Sequence, residues 1–317
     1  MAGTVRARAV RIRRLGEAPG VEQMEVGEPG PDEVLVDLAF GGVNPVDRYT
    51  AEGLVGADGP LPRTLGSEAA GLLGGRPVLV HGHGLGRSRD GVWASAATVP
   101  RAAVVELPGG IDLAQAAVLG IAGATAWRVI RLASVGRDDR VLVLGASGGV
   151  GSMIVALARA AGSTVWGQTG DARKAEFIAR QGAEEVVVAD AANVGEAITS
   201  LRPTAVFDAL GGGFTAAAVE ALVPSGRLVS FGTSADQHAT ISMRALYRKG
   251  AQIIGYAAMV EPEERVAEAV SGALGALAEG VLPVAVERLP MSEFGTAFAR
   301  LSSRGVTGKL VLDLGSG

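Results

Sequence analysis

Residues 140–169 read RVLVLGASGGVGSMIVALARAAGSTVWGQT. The apolar run 141–144 has the length of a buried strand. A glycine-rich turn follows at 146–151, and the alanine-rich stretch 152–161 predicts a helix closed by Gly162. A second apolar strand, 164–167, then runs into polar residues. Strand, turn, helix and strand in this order form a unit that binds a dinucleotide. Gly148 and Gly149 lack side chains where the backbone must bend and approach a diphosphate, and Gly151 lets the helix press on the first strand. The free N–H groups and positive dipole end of the first helical turn suit phosphate. The first glycine of the usual pattern is replaced by Ala146. A tight turn in another doubly wound fold is the alternative reading.

The end of the second strand selects the nucleotide. NAD sites usually place a carboxylate there for the ribose 2′-OH, whereas this chain reads Gly167-Gln168-Thr169-Gly170-Asp171-Ala172-Arg173-Lys174. Asp171 falls two residues late and fits the N-cap of the next helix. Arg173 and Lys174 carry charge that suits a 2′-phosphate, or are solvated first-turn residues. The expectation is NADPH rather than NADH.

A length of 317 residues predicts about two domains, and 48% hydrophobic residues provide for a sizeable core. The net charge of −4 gives no reason to expect nucleic acid or an anionic membrane as partner. The absence of cysteine excludes disulfides, thiolate metal sites and a cysteine nucleophile. With no export signal in view, the expected compartment is the cytoplasm. Residues 1–14 are arginine-rich like a transit peptide, but Val5-Arg6-Ala7-Arg8-Ala9 alternates as a half-exposed strand does. No apolar run has the length of a membrane span.

Outward from the glycine turn, the pattern changes along the chain. Residues 1–118 lean to β-structure, with strands at 34–39 and 77–80, a turn at Pro29-Gly30-Pro31-Asp32, and glycine-rich connections. A helical passage occupies 111–119. From residue 140 strands alternate with helices, with strands at 141–145, 164–168, 186–188, 205–209, 227–231 and 251–255, which predicts a parallel six-stranded sheet. A helix at 262–279, a strand at 284–288, a helix at 291–303 and a strand at 309–313 finish the chain. These last pieces are expected to rejoin the N-terminal domain.

The ordered motifs resemble the medium-chain dehydrogenase/reductase superfamily, in its zinc-free quinone oxidoreductase-like branch. The matching residues are Gly42-Val43-Asn44-Pro45-Val46-Asp47, Gly66-Ser67-Glu68-Ala69-Ala70-Gly71, 120–127, 146–151, Phe207-Asp208-Ala209-Leu210-Gly211, Ser230-Phe231-Gly232-Thr233, Ser303-Arg304 and Thr307-Gly308-Lys309. The resemblance implies an α/β protein: a GroES-like partial β-barrel catalytic domain, 1–118 completed by 261–317, plus a Rossmann domain, 119–260, with a doubly wound parallel sheet. Relatives with catalytic zinc would carry ligands where this chain has Asn44 and Ser67, and a third near Ile121. Without such ligands there is no Lewis acid for an alkoxide, so no metal site is expected. His81 and His83 lack an obvious third ligand and read as a surface turn.

By the same resemblance, Ser147, Gly148, Gly149, Val150 and Gly151 would cradle the diphosphate, and Thr125 would lie near the diphosphate and nicotinamide. Thr169, Gly170 and Lys174 would meet the 2′-phosphate, and Leu210 and Gly211 the adenine-side ribose. Phe231, Gly232 and Thr233 would approach the nicotinamide, with Arg304 near the cofactor. Asn44 would hydrogen-bond the ribose or the substrate oxygen, and Tyr49 is a candidate proton donor. Asp47 reads as a residue that fixes its loop. Val55, Leu61, Trp93, Tyr256 and Met259 are candidates to line the substrate pocket or the core. The expected reaction is NADPH-dependent hydride transfer to a quinone or an α,β-unsaturated carbonyl. The alternatives are an enoyl-thioester reductase of polyketide or fatty acid metabolism and a non-catalytic cofactor-binding protein. Relatives often pair along the edge of the cofactor sheet, so a homodimer through 251–255 is expected.

Overall fold

The computed structural model describes residues 5–56 and 59–315. The chain divides into two compact units, residues 1–121 with 284–317, and residues 122–283.

The first unit begins with β1 (Val5–Ile12), where Ala7, Ala9, Val10 and Ile12 are buried between the arginines. It pairs antiparallel with β2 (Gly20–Val26). After β3 (Glu33–Gly42), Pro45 starts α1 (Pro45–Ala51), a short helix within the otherwise β-rich first unit. β4 (Arg63–Thr64), β5 (Glu68–Leu73), β6 (Arg76–His81), β7 (Ala96–Pro100) and β8 (Val104–Glu106) follow. The expected helix at 111–119 is shorter, α2 (Leu113–Ala116), because Asp112 accepts from the N–H groups of Ala114 and Gln115 and the chain then takes a π-turn over Leu119–Gly123.

The second unit contains α3 (Ala124–Leu132), β9 (Arg140–Leu144), α4 (Gly149–Ala160), β10 (Thr164–Thr169), α5 (Ala175–Arg180), β11 (Glu185–Val188) and α6 (Val194–Thr199). β12 (Ala205–Asp208), α7 (Gly212–Ala221), β13 (Arg227–Ser230), α8 (Met243–Lys249), β14 (Gln252–Gly255) and α9 (Glu263–Ala278) complete it. The six strands are all parallel, in the order β11-β10-β9-β12-β13-β14. The chain winds outward from β9 to one side, then crosses to β12 and winds to the other. The switch between β9 and β12 is where such sheets open a crevice at their carboxyl ends. At the opposite ends of these strands, Arg227 pairs with Asp139 at 2.8 and 2.9 Å and Thr204 donates to the same carboxylate. Partial burial opposes ionisation of Asp139, but the hydrogen bonds from Arg227, Thr204 and Gly136 together outweigh it and hold the carboxyl below its usual range.

β15 (Val286–Pro290), α10 (Phe294–Ser302) and β16 (Lys309–Asp313) return to the first unit. Its main sheet runs β15-β16-β3-β5-β6-β8, with β7 also on β3, and β2-β1-β4 form a smaller sheet. Trp93 is fully buried in this core, stacked at 5.6 Å on Phe298 and donating its indole N–H to the Gly42 carbonyl at 3.1 Å. Trp93 is thus a core residue, while Leu61 and Met259 are exposed. The architecture is a GroES-like partial barrel and a Rossmann unit. The boundaries differ from the expected 118/119 and 260/261: they fall after Ile121 and after Pro283. Residues 261–283 stay with the second unit because α9 packs on α3, where Gly272 lets the Trp127 ring approach so closely that a Cβ would lie 2.1 Å from it. The ion pair of Arg128 with Glu261, 3.1 Å, closes the same contact.

Candidate active site

The nucleotide-side residues of the second unit share one edge, the carboxyl ends of its parallel strands. After β9 the chain turns sharply at Gly145, whose φ is +72°. The bend therefore sits before Ala146, not at Gly148, whose φ is an ordinary −76°. α4 starts at Gly149, three residues before the expected position, so Gly149, Val150 and Gly151 form its first turn. The first N–H groups of a helix have no intrahelical acceptor and are available to an anion. A Cβ on Gly151 would lie 2.4 Å from the Gly145 carbonyl oxygen, so the close seat of helix on turn requires glycine there.

Gln168 holds this turn, a role that sequence reasoning missed. Its side chain is buried, accepts from the Gly145 N–H at 3.0 Å and donates to the Ala189 carbonyl at 2.6 Å. Thr169 ends β10 and accepts from the Asp171 N–H at 3.2 Å. Asp171 caps the following 3-10 turn and grips Arg173 bidentately, at 2.8 to 3.2 Å. The hydrogen bond and charge of Arg173 hold the Asp171 carboxyl down to about 2, and Lys174 adjoins the pair. After β12, the buried Asp208 carboxylate accepts from the N–H groups of Leu210 and Gly211, at 2.8 and 3.0 Å, and from Thr215. Phe231 donates its N–H to the Asp208 carbonyl, which sets the 231–233 loop beside that turn. Gly145–Gly151, Thr169–Gly170, Leu210–Gly211 and Phe231–Thr233 thus lie on adjacent strand ends. Thr125 is buried in α3, and its hydroxyl meets the phenol of Tyr256, which follows β14. Burial, and then the nearby Glu261, push that phenol above its usual range.

In the first unit, Asn44 caps α1 and is buried within a polar cluster. Its Oδ1 accepts from Lys309 Nζ at 2.6 Å, and its Nδ2 donates to Glu68 Oε1 at 2.7 Å. Glu68 Oε2 accepts from the Ile121 N–H at 2.8 Å, and Lys309 also donates to the Val43 carbonyl at 2.7 Å. Asp47 accepts from the Asn44 N–H at 2.8 Å and from the Ser67 N–H and hydroxyl at 3.0 and 2.7 Å. Asp47 therefore fixes the turn. Burial raises Asp47 to about 6 and Glu68 to about 7, against the attraction of Lys309. Burial also lowers Lys309, against the attraction of both carboxylates.

Gly42 and Gly120 make room for Glu68, since a Cβ on either would come within 2.7 or 3.1 Å of its carboxylate. His81 corrects the surface-turn reading: it ends β6, is buried opposite Glu68, and is lowered to about 4 by burial and then by His83. Tyr49 is partly exposed on α1, with the Arg48 guanidinium 5.0 Å from its ring centre. Arg304 follows α10 with a φ of +55°. Among the described residues, no three His, Asp or Glu side chains gather as a metal site. No helix among them is long and apolar enough to cross a membrane.

The structure places Thr169 and the glycine turn on adjacent strand ends of the second unit, and Asn44 in the buried polar cluster of the first. Glu68 and Lys309 join this cluster only through the fold, since they lie 24 and 265 positions from Asn44.

The zinc-binding dehydrogenase family matches residues 149–272, all within the second unit. A mycocerosic acid synthase-like polyketide synthase of Mycobacterium tuberculosis is 30% identical over 90% of this chain, which spans only 14% of that longer protein. A quinone oxidoreductase of Pseudomonas aeruginosa is 29% identical over 90% of this chain and 92% of its own length. A mycobacterial protein solved in complex with NADPH has the same fold, with a TM-score of 0.83 at 22% identity, covering 96% of this chain and 99% of that one.

Proposed function

Because the chain is a quinone oxidoreductase-like member of the medium-chain dehydrogenase/reductase superfamily, we propose that it is a cytoplasmic, NADPH-dependent reductase of quinones or α,β-unsaturated carbonyls. The observation that carries this reading is the glycine turn at the β9/β12 switch, with Thr169 rather than a carboxylate at the end of β10. The residues fit the cofactor: Gly151 lets α4 sit closely on the Gly145 turn, and the first turn of α4 offers N–H groups to a diphosphate. Bound NADPH supplies the hydride. The chain binds and orients: Ser147–Gly151 take the diphosphate, and Thr169, Gly170 and Lys174 the 2′-phosphate. Leu210, Gly211, Phe231, Gly232, Thr233, Thr125 and Arg304 complete the cofactor set. Asp171 lies two residues beyond the strand end and pairs there with Arg173. NADPH is expected to bind at least about tenfold more tightly than NADH, equivalent to about 1.4 kcal/mol. Equal dissociation constants in fluorescence titrations would remove the preference.

Asn44 offers an amide donor to a ligand oxygen, and Tyr49 is a candidate source of the proton that follows the hydride. The likeness to a polyketide synthase favours a second reading, an enoyl-thioester reductase. The deciding experiment follows NADPH oxidation with a polycyclic ortho-quinone, a small cyclic enone and a short 2-enoyl thioester. Turnover of the quinone or enone supports the first reading, and turnover of the thioester alone supports the second. No turnover of any acceptor refutes both and leaves a cofactor-binding protein. In the same assay Tyr49→Phe is expected to slow enone reduction more than quinone reduction, and unchanged rates on both would take Tyr49 out of the mechanism. β14 ends the parallel sheet with Ile253 exposed, an unpaired edge that invites a second copy. A dimer is expected in sedimentation at micromolar concentration, and a monomer would refute it.

A further inference from the structure

The Asn44 side chain is held at both ends. An amide has two N–H donors and one oxygen with two lone pairs. The Lys309 ammonium lies on the oxygen at 2.6 Å, and the Glu68 carboxylate takes one N–H at 2.7 Å. A flipped amide would turn its N–H groups toward an ammonium and its oxygen toward a carboxylate, so only one orientation is compatible with both partners. Glu68 is itself held by the Ile121 N–H, and Lys309 by the Val43 carbonyl. The groups facing the cluster come from α1 (Asp47), the turn before β5 (Ser67), β5 (Glu68), β6 (His81) and β16 (Lys309). All of these are buried, so the arrangement is not loosened by solvent. Of its two donors, one Nδ2 hydrogen is left over once Glu68 has taken the other.

We propose that Glu68 and Lys309 are positioning residues, which orient the Asn44 amide so that its remaining N–H donates to an oxygen of the bound ligand. The inference rests on the proposed reductase function for the identity of that ligand: a ribose hydroxyl or ether oxygen of the cofactor, or the carbonyl oxygen of the acceptor. In either case the ligand atom is an acceptor, because Lys309 already sits on the amide oxygen and the donor still on offer is the N–H. Lys309 also draws electron density from the amide oxygen, which makes the N–H a better donor to an oxygen that gains negative charge.

The chain has two asparagines, Asn44 and Asn193, and Asn193 is exposed. Selective 15N labelling of asparagine side chains therefore gives two NH2 pairs, and Asn44→Ala assigns them. In the unliganded protein one Asn44 amide hydrogen is expected to exchange with solvent at least about 100-fold more slowly than those of Asn193. Saturating NADPH alone is expected to move the other hydrogen if the ribose is the partner, and 2-cyclohexenone added to the NADPH complex if the acceptor is. No movement in either arm overturns the donor role. Glu68→Gln presents an amide N–H to one of two donors and is expected to erase the slow exchange.

A merely structural Glu68 would give losses of kcat/KM that multiply with those of Asn44→Ala. Positioning predicts that Glu68→Gln lowers kcat/KM about tenfold in the native background and not at all in the Asn44→Ala background. Multiplying losses, or Asn44 exchanging as fast as Asn193 in the unsubstituted protein, would overturn the proposal. The exchange measurement needs no turnover, so absence of reductase activity with a protected Asn44 amide would refute the function and leave the orientation by Glu68 and Lys309 standing.

Discussion

Lys309→Met is expected to cost about 3–5 kcal/mol of stability at pH 8 and far less at pH 5. Lys309 is the cation that faces the two buried carboxylates, Asp47 and Glu68, and its attraction lowers both. Methionine keeps the length of the side chain and removes the charge. At pH 8 the two buried carboxyls would then either stay ionised without a cation or take up protons, and each alternative costs stability. Burial already raises these groups from 3.8 to about 6 and from 4.5 to about 7 with Lys309 in place. A carboxyl whose folded value is raised adds stability that is whole below its unfolded value and is lost as pH rises through the folded one. The relevant window therefore runs from about 4 to 7 in the native protein and extends upward in the variant. At pH 5 both carboxyls are largely protonated, and removal of the ammonium leaves no bare charge. Urea unfolding of both proteins at pH 5 and pH 8 measures this. The same cost at both pH values would mean that Lys309 contributes packing and hydrogen bonds rather than charge compensation.

Gly151→Ala is expected to weaken NADPH binding by about 10- to 100-fold, or 1.4–2.8 kcal/mol, and to cost about 1–3 kcal/mol of stability. The added Cβ would stand 2.4 Å from the Gly145 carbonyl oxygen and 3.0 Å from Ala146 Cα. Both are backbone atoms of the turn, so no side chain can swing aside, and either α4 or the turn must move. The turn is also tied to β10 through Gln168, which concentrates the displacement on the first N–H groups of the helix. Gly148→Ala provides the contrast: its Cβ meets the same carbonyl at 3.4 Å, an ordinary contact, and its φ is negative. That variant is expected to keep its stability. Thermal melting separates the two substitutions, and native affinity in NADPH fluorescence titration together with native melting in Gly151→Ala would refute the close seat.

The sequence by itself determined the second unit. Its inner strands are short apolar runs, and burial on both faces of a parallel sheet demands such runs, so β9, β12 and β13 fall where the runs are. Thr169 at the end of β10 follows from strand length alone. The bend at Gly145 was missed because the motif starts one residue later in its usual spelling, and a positive φ leaves no mark beyond glycine itself. In the first unit the alternation of 5–12 was readable, whereas α1 was not: seven residues are too few to show a helical period, and the helix depends on Asp47 closing on the Asn44 N–H.

Only the tertiary structure decided the orientation of Asn44 and the place of 261–283. Lys309 and Asn44 stand 265 positions apart and meet because β16 returns beside β3. Glu68 arrives from a third strand, and local pattern carries no trace of such a meeting. Whether a lysine and two carboxylates are a solvated surface or a buried clamp is a question of desolvation, which depends on what the rest of the chain places around them. The helix 263–278 could pack on either unit by its own amphipathic pattern. The close approach of Gly272 to Trp127, with Glu261 on Arg128, settles it with the second.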